Sequence, residues 1–272
     1  MARGSKSILI ISDIHVGSKV AICSESPELT DGANYTPNKA QKALLQCWHD
    51  SIDDIIQRPA VTVINGEPTD GINRRSMGAG QWTTSFVDEV RDFTKLMSVV
   101  PKSKKTYFVR GSGYHVTSDG ATPIEEFVAE SLNAKRYRAY GGSGYTDYEL
   151  NLEILGKYFN FTHHVGFSRW FQYRTTPLAS EMAKMHFEHA KRGFHTDVMV
   201  RSHVHYYVEV RFPNTIGFTT PAWKFPDGFM YRNGEPTLPN VGMMEVIVET
   251  NGTIGVYPHL TEVNFKPMVH HI

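Results

Sequence analysis

Apolar positions fall into short continuous runs that alternate with stretches of helical period, the rhythm of an α/β fold. Residues 7–11 predict a buried strand. Thr36-Pro37 then supplies a cap and first-turn proline to a helix carrying Ala40, Ala43, Leu44, Cys47, Trp48, Ile52 and Ile55. Residues 61–64 predict the second strand. Phe86, Val90, Phe93, Met97 and Val100 recur at helical spacing, after which 106–109 reads as a strand ending at Gly111. Thr122-Pro123-Ile124-Glu125 has capping-box spacing and opens a helix to about Leu132. A glycine-rich turn at 141–144 precedes two strands between Tyr148 and His164, which turn around Gly156-Lys157. A helix over 177–191 and a strand at 198–201 follow. Beyond Tyr206 strands dominate, with Asn251-Gly252 joining 245–248 to 254–257 as a hairpin.

Composition narrows the class. With 272 residues and 40% hydrophobic content, one large core and a single domain over 1–272 are expected, without repeats or linkers. Lys+Arg and Asp+Glu balance at 28 each, so there is no global pull toward nucleic acid or anionic membrane, and nucleic acid could be held only by local patches. The apolar runs fall well short of the roughly 18 residues a membrane helix requires, and a signal-peptide core is lacking, so a cytoplasmic protein is expected. Cys23 and Cys47 cannot frame a domain of this size and read as reduced packing residues.

The chemistry gathers at four places where an apolar run ends in metal-type donors: Ser12-Asp13-Ile14-His15, Asn65-Gly66-Glu67, Thr162-His163-His164 and Ser202-His203-Val204-His205. Each lies at the C-terminal end of a predicted strand, where open α/β sheets gather their ligands. A carboxylate and imidazole two residues apart, matched by two imidazoles near the other end, predict a binuclear metal hydrolase. Singly, each residue has a plainer role. Asp13 could cap a turn, and Glu67 could be a solvated turn residue with Asp70 as the carboxylate. His163 and His164 point to opposite faces while the strand lasts, so one of them, His163, is expected to be the ligand, with His164 beside it or simply packed.

In order and spacing, Asp13-Ile14-His15, Gly66-Glu67 with Asp70-Gly71, Arg110-Gly111 to His115, His163-His164 and Ser202-His203-Val204-His205 resemble the calcineurin-like metallophosphoesterase family over nearly the whole chain. Arg174-Thr175-Thr176-Pro177-Leu178, Arg201 to His205 and Pro221-Ala222-Trp223 resemble a branch found in phage and prokaryotic genomes. The resemblance implies two packed mixed β-sheets flanked by helices, a four-layer αββα sandwich with two divalent metals at the sheet edges. It makes Asp13, His15 and His205 ligands of one metal and His163 and His203 ligands of the other, with Glu67 bridging. Two cations about 3.5–4 Å apart can share a hydroxide that attacks a phosphate mono- or diester. Mixed oxygen and nitrogen donors suit manganese, iron or zinc, and manganese is expected.

Two positions depart from the family pattern. Glu67 stands where the family has aspartate, which pushes the bridging oxygens outward by roughly one C–C bond. The family's Gly-Asn-His reads Gly111-Ser112-Gly113-Tyr114-His115 here, so Ser112 could serve as a weak oxygen ligand and His115 as proton donor or ligand; the proton donor is the preferred role. Arg74, Arg75 and Arg174 are candidate phosphate clamps. Lys102, Lys104 and Lys105 form a small basic patch that could steer phosphate or simply be solvated, and His186 and His189 sit three apart on a helix where they could bind metal together, although its Lys, Glu and His content reads as a solvated face. His270-His271 reads as a tail. Trp170, Phe171, Tyr173, Tyr206, Tyr207 and Trp223 fit either core packing or a pocket that stacks a nucleobase. A phosphate-ester substrate, compatible with a nucleotide or nucleic acid, is the expected partner. The competing readings are a relative that binds metal and phosphate without efficient turnover, and a nucleic-acid-binding protein whose histidines are incidental.

Overall fold

The structure, a computed structural model, describes residues 4–72, 77–113, 124–137, 144–191, 193, 195–232 and 239–263. One sheet has the order β11-β10-β1-β2-β3-β4. Its strands are β1 (Ser5–Ile11), β2 (Val61–Asn65), β3 (Lys105–Val109), β4 (Thr146–Asp147), β10 (Val241–Glu249) and β11 (Ile254–Thr261). The other has the order β5-β6-β7-β9-β8, from β5 (Glu149–Ile154), β6 (Lys157–Thr162), β7 (Val198–Arg201), β8 (Glu209–Phe212) and β9 (Thr215–Thr219). Both sheets are mixed. β1, β2, β3 and β4 run parallel while β10 and β11 join antiparallel, and β6, β7 and β9 run parallel between the antiparallel β5 and β8.

Alternation along the strands produces the layers. In β1, Ile8 and Ile10 face the second sheet, where they meet Phe159 and Phe161 of β6, Val198 and Val200 of β7 and Phe218 of β9. Leu9 and Ile11 point the other way, into a cluster with Leu44, Trp48, Phe93, Phe108 and Trp223. The helices α1 (Lys39–Asp53), α2 (Phe86–Met97) and α3 (Ile124–Ser131) cover that face. On the outer face of the second sheet, Leu178 and Met182 of α4 (Thr176–Lys191) pack against Met199 of β7. The expected helix–sheet–sheet–helix sandwich is thus observed. A single 3-10 turn at Phe171–Tyr173 and the short α5 (Gly228–Arg232) complete the helices of the described residues, none of which is long and apolar enough to cross a membrane.

Local corrections have local causes. The first helix starts two residues after Thr36-Pro37, because Asn38 caps it: its side chain accepts from the Gln41 amide, and the Gln41 side chain accepts from the Asn38 amide. The helix ends at Asp53, so Ile55 packs from beyond it. Phe86 opens α2 exposed to solvent, beside Phe127 of α3 at 5.9 Å. The turn between β5 and β6 is centred on Leu155 and Gly156, both at positive φ, one residue earlier than expected. Thr122-Pro123 and 141–143 lie outside the described residues. Cys23 and Cys47 are buried and free, in line with the packing role expected of them.

Candidate metal centre

All four donor segments sit at the C-terminal ends of parallel strands: 12–15 after β1, 65–67 at the end of β2, 163–164 after β6 and 202–205 after β7. Register between the sheets brings them to one edge of the sandwich. Two groups of side-chain donors form there, Asp13, His15, Glu67 and His205 in one and Glu67, His163 and His203 in the other, with the donor atoms of each group within 4.8 Å of one another. Glu67 belongs to both. Its Oε2 lies 2.8 Å from His15 Nε2 and its Oε1 lies 3.3 Å from His163 Nε2. Asp13 Oδ1 is 3.2 Å from His205 Nε2 and 3.9 Å from both His15 Nε2 and His163 Nε2.

The backbone is bent out of its common range to achieve this. Asp13, His15, Glu67, His203 and His205 all have positive φ, between 52° and 75°. Such residues cost on the order of 1–3 kcal/mol each and persist where surrounding contacts over-determine them. Those contacts are visible. The amides of Ile14 and His15 donate to the Glu67 carbonyl at 2.9 and 3.0 Å, and Trp223 donates to the Asp13 carbonyl at 2.9 Å. Asn240 donates to the His205 carbonyl at 3.1 Å. Glycine allows the closest approach: a Cβ on Gly111 would stand 2.6 Å from Glu67 Cγ, and one on Gly66, itself at positive φ, would enter the His163 ring.

A ring of neighbours orients the donors. The Asn65 side chain donates to Ser202 Oγ at 2.7 Å and to the Thr162 carbonyl at 3.1 Å, tying three of the four segments together. The Asn65 backbone carbonyl lies 2.8 Å from His163 Nδ1, which with Nδ1 protonated turns Nε2 into the cluster. Asp70 sits behind the cluster, not in it: its Oδ1 is 3.1 Å from His15 Nδ1 and 3.1 Å from the buried Lys224 Nζ, which also reaches Asp227 at 3.2 Å. Between the two expected carboxylates, Glu67 therefore holds the central position. Ser112 turns its amide (3.2 Å) and its hydroxyl onto Glu67 Oε1. His164 is exposed and packs with its ring tilted against that of His203, centroids 4.5 Å apart, outside both donor groups, while His163 is fully enclosed.

Electrostatics follow from crowding like and unlike charges out of water. Burial disfavours the ionised Asp13, yet His163 and His205 outweigh it and hold the carboxyl at about 2. Burial also opposes protonation of His163, but Glu67 and Asp13 raise it to about 9. For His15, burial and Lys224 work against the charged form, and Glu67 and Asp70 prevail, so its pKa rises. His203 falls to about 4, chiefly through desolvation. Glu125 is enclosed next to Glu67 and is pushed by burial to about 7, although the Gly111 amide donates to it at 2.9 Å.

The sequence did not single out Lys224, Asn65 or Glu125 for these positions. Glu125 was visible as a capping residue, but its Oε1 accepts from the amides of Gly111 and Glu67. Of the remaining expectations, His115, Arg74, Arg75 and His270-His271 lie outside the described residues. Arg174 sits between the rings of Phe171 and Tyr206, at 4.7 and 4.6 Å from their centroids. Lys102, Lys104 and Lys105 lie at the N-terminal end of β3, the end of the sheet opposite the donors. His186 is exposed on α4, as a solvated face requires, and His189 pairs with Thr196 Oγ1 at 2.9 Å. The aromatic group divides: Trp223 is core, with its ring 4.7 Å from that of Trp48, and Tyr206 is buried, whereas Trp170, Phe171 and Tyr173 are exposed.

No family model matches the chain, and no curated protein does. Solved structures that align with it include a conserved uncharacterised protein, a predicted phosphoesterase, from Streptococcus pneumoniae TIGR4, at 10% identity over 94% of this chain and 99% of that one, with a TM-score of 0.38. Wild-type Vps29 complexed with zinc, from Entamoeba histolytica, aligns at 10% identity over 93% and 97%, with a TM-score of 0.44. An archaeal phosphodiesterase aligns at 12% identity over 93% and 99%, with a TM-score of 0.40. These overlaps are loose, and the chemistry of the centre follows from its own residues.

Proposed function

We propose that the chain is a calcineurin-like metallophosphoesterase that hydrolyses phosphate mono- or diesters with two divalent cations. One observation carries this reading: two donor groups that share Glu67. Asp13, His15, Glu67 and His205 would hold one cation, and Glu67, His163 and His203 the other. The donors suit such ions. Asp13 Oδ1 and His163 Nε2, which both face the cluster, are buried, and neither makes an aligned hydrogen bond among the described residues, although charged neighbours stand close. Oxygen and imidazole donors without thiolate fit manganese, iron or zinc, and manganese is our choice. When bound, a pair of such ions supplies Lewis-acid stabilisation of phosphoryl oxygens and a nucleophile at neutral pH.

The chain's own residues do the positioning. Asn65 and Asp70 fix the faces of His163 and His15, and the Ser112 amide and hydroxyl fix the Glu67 carboxylate. His115 is assigned the proton donation to the leaving oxygen and Arg174 a contact with phosphate. Two buried free cysteines and a donor set without thiolate suit a reducing cytoplasm.

The test is manganese-supported hydrolysis of aryl phosphate monoesters and diesters by the native chain, Asp13→Asn and His205→Ala. Each substitution should lower kcat/KM by at least about a hundredfold, as expected when a metal ligand is lost. Unchanged turnover in both variants would reject the centre.

A further inference from the structure

The segment that leaves the candidate centre after His163-His164 exposes aromatic rings where a chain would ordinarily bury them. Trp170, Phe171 and Tyr173 are 67%, 75% and 55% exposed, and Phe167 is 49% exposed. Phe167, Trp170 and Tyr173 line one side of an open groove whose other side is the first turn of α4, at Thr176, Pro177 and Ser180. Core packing does not account for rings at this exposure. The charge in the segment has one sign: from His163 to Ser180 it carries Arg169 and Arg174 and no acidic residue, in a chain that is neutral overall. The strip is also joined to the centre. The Arg174 guanidinium lies between Phe171 and Tyr206, and Tyr206 directly follows the candidate ligand His205.

Exposed π-faces interleaved with guanidinium groups, leading to a phosphate-directed centre, match a polyanion that presents unpaired planar bases. We propose that the substrate is a single-stranded oligonucleotide, whose bases stack on Trp170, Phe171 and Tyr173 and whose phosphodiester reaches the strand-end cluster. This rests on the phosphoesterase reading above and adds the substrate class. Several rings in succession exceed what one base requires, which favours an oligonucleotide over a mononucleotide. A duplex hides the faces that stacking uses.

The experiment is fluorescence-anisotropy titration of a labelled single strand of about twelve nucleotides, within the usual span of such sites, with full-length protein in EDTA. Manganese-supported hydrolysis of an aryl phosphate diester is measured in parallel. The single strand should bind at least about tenfold more tightly than the same sequence as a duplex or a mononucleotide. Trp170→Ala should weaken it roughly tenfold, the loss expected of one stacked base. Trp170→Phe should keep the affinity while abolishing the tryptophan quenching that the native protein shows on binding. Equal affinity of the native chain and Trp170→Ala, a preference for duplex, or tight mononucleotide binding with no gain from length overturns the proposal. Self-association that Trp170→Ala abolishes, without oligonucleotide binding, overturns it in favour of a second copy of the chain. Aryl ester hydrolysis without oligonucleotide binding removes this inference and leaves the phosphoesterase standing. Trp170-dependent binding without hydrolysis keeps the strip as a single-strand binding site but overturns the phosphoesterase reading and, with it, the assignment of the oligonucleotide as substrate.

Discussion

Nε2 of His15 lies 2.8 Å from Oε2 of Glu67, and the loops that carry the two residues are locked by two further hydrogen bonds onto the Glu67 carbonyl. This contact is an ion pair only while His15 holds a proton, and His163 stands in the same relation to Glu67 at 3.3 Å. Protons and cations therefore compete for one set of lone pairs.

Cation uptake is predicted to release protons and to strengthen as pH rises toward 9, because His163 keeps its proton up to about that value. Isothermal titration with manganese in two buffers of different ionisation enthalpy measures the number released. A value of zero at pH 7 would contradict the arrangement. The same shifts act oppositely on the cation-free protein. A raised His163 contributes stability that is full below its ordinary 6.5 and disappears as pH climbs through about 9. The depressed Asp13 contributes stability that is full above 3.8 and is lost as pH falls toward about 2. In EDTA the melting temperature should thus decline between pH 7 and about 9.5, and saturating manganese should remove or reverse that decline.

Asp70 and Lys224 should act on affinity and on folding, respectively. Asp70→Asn keeps the shape behind His15 while removing the charge, and manganese affinity should fall about 10- to 100-fold with little change in the fold. Lys224→Met leaves Asp70 and Asp227 without the buried ammonium that both contact. Removal of one partner from a buried ion pair costs about 3–5 kcal/mol, so the midpoint of urea unfolding should drop markedly. A Lys224→Met protein as stable as the native chain would show that this network is solvated in solution.

The strands and their termini could be read from sequence because each apolar run stops where a donor begins, as at Ile11 before Asp13 and Arg201 before His203. The sandwich layers follow from alternation in β1, where Ile8 and Ile10 oppose Leu9 and Ile11. Helix boundaries were less legible, since Thr36-Pro37 and Asn38 are all plausible starts and only the reciprocal bonds of Asn38 with Gln41 decide between them. Lys224 had no local signature at all, and Asn65, although it opens one of the donor segments, had none for the bonds its side chain makes. Their partners, Asp70 for the first and Thr162 and Ser202 for the second, are distant in the chain and meet only through sheet register. The basic trio Lys102, Lys104 and Lys105 illustrates the converse: the composition suited phosphate steering, but the strand direction puts it at the wrong end of β3.

Gly111→Ala is predicted to damage the centre without touching any donor. Its new methyl would stand 2.6 Å from Glu67 Cγ and 2.8 Å from the Glu67 amide nitrogen, so either the β3 loop or Glu67 must move. Overpacking of this kind costs about 1–3 kcal/mol, and the displaced carboxylate should cost manganese affinity as well. Gly113→Ala is the control, because among the described residues nothing lies within 4 Å of the position a Cβ would take there. Thermal melts and manganese titrations of the two variants separate the outcomes: equal behaviour would mean that the Gly111 contact has no energetic weight.

Glu67→Asp asks whether the longer carboxylate is a defect or the design. If it were a defect, shortening the side chain would raise turnover. The geometry argues the other way. The Glu67 carboxylate reaches His15 with one oxygen and His163 with the other, Ser112 donates to it twice, and Gly111 leaves room for its Cγ. Removing a methylene withdraws both oxygens by about 1.5 Å, one C–C bond, and the positive φ of Glu67 is already fixed by backbone bonds that cannot follow. Manganese affinity and aryl ester hydrolysis should therefore each fall by about tenfold or more, with a smaller loss in melting temperature from the vacated space. Adding Ser112→Asn to Glu67→Asp should recover part of that loss, because a longer amide can approach the retracted carboxylate. Faster turnover in Glu67→Asp alone would instead establish that the extra methylene holds the two donor groups too far apart.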